Sequence, residues 1–372
     1  MIGIDIRFMT RDMMDGIISS GVGVFCAEVL SGMKESDRKK TALILNASQR
    51  ETAGTLFPGF SLLEYSPAND ACFDRFLNEH GIRCLWFPFA TPHHYVPAGI
   101  PRIATIHDLI TIHDDPSNTE RRDGFRKILE ESREVIAISD HVRRDILHEF
   151  EGADRKNIKV IPCPVTVNTE AAEEVRELKS KEYILDVNAY QKRKNGITLL
   201  KAYALSGLQR DCDLVFCGGY NGRNTLEELQ KAAAELGLEE QVHFYLAIPT
   251  EQRNWLLKHA RMLVSPSLRE GFGRTPVEAA ISGIPVITST SDSLEEVTLG
   301  LVRYLREPQN AEAMAEAIRE VYAHPPGQEE LQRIADLLKE KYDPARIADA
   351  YRKVFAKYST DKENGFPGGN PI

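Results

Sequence analysis

The chain has 372 residues, too many for one ordinary core, and its 42% apolar and 27% charged content describes a soluble globular protein of two domains. A formal net charge of −9 excludes the broad cationic footprint of a nucleic-acid binder, so an anionic ligand has to be met by local cations. The six cysteines show neither CxxC pairing nor zinc spacing, as expected of reduced thiols in the cytoplasm, and no signal peptide or membrane-spanning apolar run is apparent.

Residues 1–9 alternate into a first strand. A loop closes with Ser20-Gly21-Val22-Gly23, and a helix follows with Val22, Cys26, Val29 and Leu30 on one face. Strand, glycines and helix form an anion cradle or a plain tight turn, and this stretch alone does not separate the two. Strands are predicted at 41–45 and 59–65, a helix at 71–80 and a buried strand at 84–88. Residues 103–106 read as a strand that delivers His107-Asp108 at its carboxyl end, where ligands sit in doubly wound sheets. Taken singly, such a histidine is more often a satisfied loop partner. Residues 113–116 read as a polar loop. Helices at 121–131 and 140–150, the second capped by Ser139, flank a strand at 135–139, and a strand at 158–162 ends in Cys163-Pro164. The charged segment 168–182 reads as a crossing between domains.

The pattern restarts with a strand at 183–187, then the basic cluster Lys192-Arg193-Lys194 and an amphipathic helix. Strands at 213–219 and 242–246 alternate with helices at 225–236 and 251–260. Next comes Glu270-Gly271-Phe272-Gly273-Arg274-Thr275-Pro276-Val277-Glu278, between a strand at 262–264 and another at 284–288. Thr275 is placed to cap the helix here, Pro276 suits its first position, and Glu278 completes a capping box. Helices at 311–322, 329–342 and 344–358 precede a tail, 359–372, that lacks core-forming residues and is expected to be mobile. Alternating strands and helices imply parallel sheets covered on both faces.

Phosphate at a helix N-terminus explains the glycines of the 270–278 motif but not its two acids. Carboxylates beside a diphosphate make sense when they address hydroxyls, and a nucleotide sugar carries hydroxyls at both ends of its diphosphate. For Glu278 the capping box is an equally good reading. Lys192-Arg193-Lys194 offers local cations, or else a solvated face.

With these motifs in order, the chain resembles the retaining nucleotide-sugar glycosyltransferases of family 4, which have the GT-B fold. The resemblance runs from Ile2-Gly3-Ile4-Asp5 and Gly21-Val22-Gly23 through Thr105-Ile106-His107-Asp108-Leu109, Ala137-Ile138-Ser139 and Arg193-Lys194-Asn195. It continues through Glu270-Gly271-Phe272-Gly273, Glu278-Ala279 and Gly283-Ile284-Pro285. It implies two Rossmann-like doubly wound domains, 1–168 on the acceptor side and 169–342 binding the nucleotide sugar, facing each other across a cleft, with helix 343–358 crossing back. Glu270 would contact hydroxyls of the donor sugar, Glu278 the ribose, and Lys194 with Arg193 the diphosphate. The backbone of Gly271, Phe272, Gly273 and Arg274 would add contacts, Gly21 and Gly23 would close from the other domain, and His107 would lie beside the transferred sugar.

Four positions depart from the family pattern. Asn188 stands where many relatives carry an arginine, Arg274 occupies a place that is usually apolar, and Cys163-Pro164 replaces a common Asn-Gly. The side chain of Arg274 thus has two candidate targets, the phosphates and the acceptor. The implied activity is transfer of a hexosyl group from a UDP- or GDP-sugar to a glycan or lipid-linked acceptor in bacterial cell-surface polysaccharide synthesis, without a metal or other cofactor. The implied setting is the cytoplasm, with peripheral association at the inner face of the cytoplasmic membrane left open. The competing expectations are a nucleotide-sugar epimerase or hydrolase on the same fold, and a non-catalytic nucleotide-sugar-binding subunit.

Overall fold

The computed structural model describes residues 1–10, 21–65, 72–96, 98–153, 158–168, 170–178, 181–187, 190–219 and 223–359. The expected mobile tail (except Ser359, which ends the last helix) and Asn188 lie outside these residues. Seven strands form the first sheet: β1 (Ile2–Asp5), β2 (Thr41–Leu45), β3 (Ser61–Glu64), β4 (Cys84–Phe87), β5 (Arg102–Ile106), β6 (Glu134–Ala137) and β7 (Ile158–Val160). Six form the second: β8 (Tyr183–Val187), β9 (Asp213–Gly218), β10 (Val242–Leu246), β11 (Met262–Ser265), β12 (Val286–Ser289) and β13 (Arg303–Leu305). The spatial orders are β3-β2-β1-β4-β5-β6-β7 and β10-β9-β8-β11-β12-β13, and every pairing between these strands is parallel.

In both sheets the direction of strand addition reverses once, between β1 and β4 and between β8 and β11. Chain connections diverge to opposite faces at such a switch, leaving a crevice outside the strands' carboxyl ends. The loops after β8 and β11 carry the basic cluster and the Glu270 motif respectively, so two stretches distant in sequence emerge side by side. Central strands are apolar on both faces, as sheets covered by helices on both sides require: Ile4, Leu43, Leu85, Ile103 and Ile136 are fully buried in the first sheet, and Leu185, Val215 and Leu263 in the second.

The last helix, Pro344–Ser359, crosses back to the first domain. Pro344 suits its first position, and Asp343 accepts the Arg346 amide at 2.8 Å as its cap. The helix packs so closely on helix Gly21–Gly32 that a β-carbon on Gly32 would stand 2.1 Å from the Pro344 carbonyl oxygen. Its Tyr351 and Phe355 rings lie 4.6 and 5.5 Å from Trp86, and Lys357 donates to the buried Glu134 at 2.5 Å.

Two local expectations are corrected. Both Gly21 and Gly23 lie within helix Gly21–Gly32 and not in a loop. Residues Ile110–Asp114 form a short helix where a polar loop was expected at its end, because Asp108 accepts the Ile110 amide at 3.1 Å and Ile112 is buried.

Candidate active site

The basic cluster forms a single turn of 3-10 helix, Lys192–Lys194, closed by Asn195 in the left-handed conformation at φ 64°. The Asn195 amide donates to the carbonyls of Pro266 (3.2 Å) and Pro308 (2.6 Å), and the Leu268 amide donates to the Arg193 carbonyl at 2.7 Å. The turn is thereby fastened to the loop after β11. Arg193 donates to the Arg269 carbonyl at 2.8 Å and to Glu270 at 3.3 Å, and the Lys194 ammonium is in direct contact with Glu270 Oε1. Lys192 instead faces outward toward Glu228, at 3.3 Å. Within the three-residue run two cations face inward and one lies on the solvated face. Burial pushes the Glu270 carboxyl upward, but Lys194 and Arg193 outweigh it and hold the group below the ordinary carboxylate range.

The Glu270 amide donates to Asp292 at 2.8 Å, and Ser293 Oγ lies 3.0 Å from the carbonyls of both Glu270 and Phe272, which share its one proton. Phe272 is buried edge-on against Tyr342, with ring centroids 5.4 Å apart. Gly273 has φ 82°, and a β-carbon there would stand 2.3 Å from Leu294, so the position requires glycine twice over.

This left-handed glycine carries the chain into helix Arg274–Ile281 one residue before Thr275. The expected capping box therefore does not form: Gly273 is the cap residue, no side chain caps the helix, and Glu278 lies too deep to reach back. The Glu278 carboxylate is instead held by Arg253, in direct contact, and by Arg274 at 3.3 Å. Burial raises this carboxyl, and the two guanidinium groups more than offset it, leaving a lowered pKa.

Across the cleft, His107 Nε2–H donates to the Pro88 carbonyl at 2.8 Å, and its ring stands edge-on to Phe25 at 4.7 Å. Burial brings its pKa down to about 4; the Pro88 bond opposes this and the charge of Arg274 adds to it. The imidazole is neutral at pH 7, with Nδ1 left as an acceptor. Gly23 is buried, while a β-carbon on Gly21 would meet nothing within 4 Å.

The two halves touch at several points. Ser139 Oγ, which caps helix Asp140–Glu149, also donates to the Gly271 carbonyl at 2.7 Å. Glu296 accepts the amides of Asp140 (2.7 Å) and His141 (3.0 Å). Arg274 forms a bidentate pair with Glu28 at 2.8 and 3.0 Å and donates to the Pro164 carbonyl at 2.6 Å. A cleft of about 250 Å³ lies beside Glu270, with Asp108, His113, His141, Asp145 and Asp292 among its lining residues. Among the described residues, no group of three or more His, Cys, Asp or Glu side chains is placed to hold a metal ion.

Lys194, Arg193 and Glu270 are therefore brought into contact, and His107 lies back to back with Gly271. Glu28, Arg253 and Asp292 were missed in the sequence. The one available signal was Glu28, an acid at a buried helical position between Cys26 and Val29. Arg253 belongs to no motif, and its role exists only through Glu278.

Paired doubly wound domains with a cation–carboxylate site on their shared cleft define the GT-B class. Two family models match, Glycosyltransferase Family 4 over residues 19–169 and Glycosyl transferases group 1 over residues 167–341. Together they span both domains, and the chain belongs to the family 4-type GT-B glycosyltransferases.

The chain is 26% identical over 239 residues to O-antigen chain mannosyltransferase B of Escherichia coli, covering 60% of this chain and 62% of that protein. It is 34% identical over 148 residues to an alpha-1,3/1,6-mannosyltransferase of Dictyostelium discoideum, covering 36% and 35%. The chain thus spans less than two thirds of the length of these curated relatives. In fold it is similar to a sucrose-phosphate synthase from Thermosynechococcus elongatus, with TM-score 0.72, 17% identity and 96% and 99% of the two chains covered. It is also similar to HepE of Anabaena in complex with UDP-glucose, with TM-score 0.75, 14% identity and the same coverage.

Proposed function

We propose that the protein is a retaining glycosyltransferase that moves a hexosyl group from a UDP- or GDP-sugar to a glycan or lipid-linked acceptor in bacterial cell-surface polysaccharide synthesis. The observation that carries this reading is the buried contact of Glu270 with Lys194 and Arg193 at the switch point of the second sheet. A plain phosphate site has no use for a carboxylate there, whereas a sugar nucleotide presents hydroxyls beside its phosphates. In this reading Glu270 accepts hydroxyls of the donor sugar, Glu278 those of the ribose, and Lys194 with Arg193 meets the diphosphate. The backbone of residues 271–274 adds contacts, Gly21 and Gly23 on helix Gly21–Gly32 close from the first domain, and neutral His107 offers an acceptor to the transferred sugar.

As the anomeric carbon–oxygen bond breaks, negative charge develops on the departing diphosphate. Lys194, Arg193 and the N-terminus of helix Arg274–Ile281 are suited to stabilise it. For retention, the acceptor oxygen attacks from the face the diphosphate leaves and passes its proton to a phosphate oxygen. No metal enters this scheme. Among the described residues no helix is long and apolar enough to cross a membrane, and peripheral attachment at the inner face of the cytoplasmic membrane is part of the proposal.

A thermal-shift series with UDP, GDP, ADP and their sugars selects the donor, and product analysis with and without acceptor then tests the activity. Saturating ligand at about 100 times its dissociation constant contributes about 2.7 kcal/mol of stability. Donor turnover that ignores the acceptor marks an epimerase or hydrolase, and binding without any turnover marks a non-catalytic subunit. An inverted anomeric product overturns retention.

A further inference from the structure

Glu278 is held from two sides. Arg253 comes from the same domain, but Arg274 is itself gripped by Glu28, on the first-domain helix Gly21–Gly32. Glu28 is buried, and its Oε1 also accepts the Thr166 amide at 3.0 Å and the Thr166 hydroxyl at 2.7 Å. A chain of groups, Thr166, Glu28, Arg274, Glu278 and Arg253, with both carboxylates buried, therefore crosses from one domain to the other. Arg274 and Arg253 each occupy one oxygen of Glu278, leaving about half of the carboxylate's roughly four lone-pair sites open to other donors.

We propose that Glu28 is a positioning residue for Glu278, acting through Arg274. It holds the guanidinium back so that the carboxylate stays open to the two ribose hydroxyls. This inference rests on the donor-site reading of Glu278 given above. The physical argument is competition for one guanidinium: its planar fork satisfies one carboxylate bidentately, and here that carboxylate is Glu28, at 2.8 and 3.0 Å, while Glu278 has a single contact at 3.3 Å. With Glu28 neutralised, the fork turns onto Glu278, the remaining buried anion within its reach, and covers the oxygens that the ribose needs. Domain contact and the readiness of the ribose site thereby become one event, because Glu28 belongs to the first domain and Glu278 to the second.

The test is titration of the full-length protein with UDP and GDP by calorimetry, with donor KM and kcat measured alongside. Glu28→Gln is expected to raise the nucleoside diphosphate Kd and the donor KM about tenfold, with kcat at saturating donor changed far less. Adding Arg274→Met to Glu28→Gln is expected to restore affinity, since the guanidinium that covers Glu278 is then gone. A merely structural role predicts the opposite, a double variant no better than the single one, and that result overturns the proposal. So does Glu28→Gln binding within twofold of the parent. Should Glu28→Gln fail to fold, Thr166→Val, which removes one donor to Glu28, is expected to weaken binding by about threefold, and unchanged binding there overturns the proposal. A parent protein that binds neither UDP nor GDP sinks the donor-site reading itself, a failure visible before any variant is made.

Discussion

The carbonyl oxygen of His107, at the end of a first-domain strand, lies only 2.1 Å from where a β-carbon on Gly271 of the second domain would stand. The obstacle is backbone, so it cannot rotate away, and glycine is what lets the two loops meet. Gly271→Ala should force them apart and lower kcat/KM by about 100-fold, the scale of an ångström's misplacement. Small-angle scattering should show a more open particle, and a variant with unchanged kinetics and shape would remove the close approach from the account.

Glu270 and Lys194 neutralise each other in a buried setting, yet each is assigned a different part of the donor. Glu270→Ala and Lys194→Ala should each reduce kcat/KM at least about 100-fold, the usual scale for losing an electrostatic partner of the transition state. Steady-state kinetics check this, with circular dichroism to establish folding. Near-parental rates in both variants would remove the site assignment.

The His107 imidazole titrates in the folded protein near pH 4 in place of its ordinary value of 6.5, burial being the main cause. Between those values the unfolded chain binds the proton and the folded one does not. The contribution of His107 to stability is therefore complete above about pH 6.5 and is lost as pH falls toward 4, at up to ~1.4 kcal/mol per pH unit. Thermal unfolding from pH 4 to 7 should show this slope, and His107→Asn should flatten it. Activity should show no step from this group between pH 6 and 8.

Arg274 is the shared counter-ion of two buried carboxylates, Glu28 and Glu278. Arg274→Met alone leaves both with less compensation and should cost about 3–5 kcal/mol in denaturant unfolding. Removing the Glu28 charge as well should recover part of that loss, because the uncompensated anion, and not the missing pair, is the expensive species. Equal stabilities for the single and double variants would contradict this.

The final helix covers Trp86 with Tyr351 and Phe355. Tyr351→Ala should cost about 3–5 kcal/mol through the cavity it leaves. A chain ended after Asp343 should expose that aromatic face and aggregate, as light scattering would report. A truncated chain that stays monomeric and stable would show that this helix is dispensable to the first domain.

Local chemistry made much of this protein legible in its amino-acid order. Strand and helix periodicities placed the second-domain strands at 183–187 and 242–246, where β8 and β10 are observed, and the glycines of the 270–278 motif announced a tight loop ahead of a helix. Alternating strands and helices implied parallel sheets covered on both faces, and the resemblance carried by the ordered motifs implied their GT-B arrangement. Partner choice was not legible. Thr275 and Glu278 have the spacing of a capping box, but Gly273 in its left-handed conformation starts the helix early, and Arg253 and Arg274 take the carboxylate instead. The fate of Arg274 depended on Glu28, 246 positions away and in the other domain. Periodicity and turn chemistry act over a few residues and can be read from them. Which buried charge meets which is decided only when two domains dock, because a desolvated ion takes the partner that docking brings within reach.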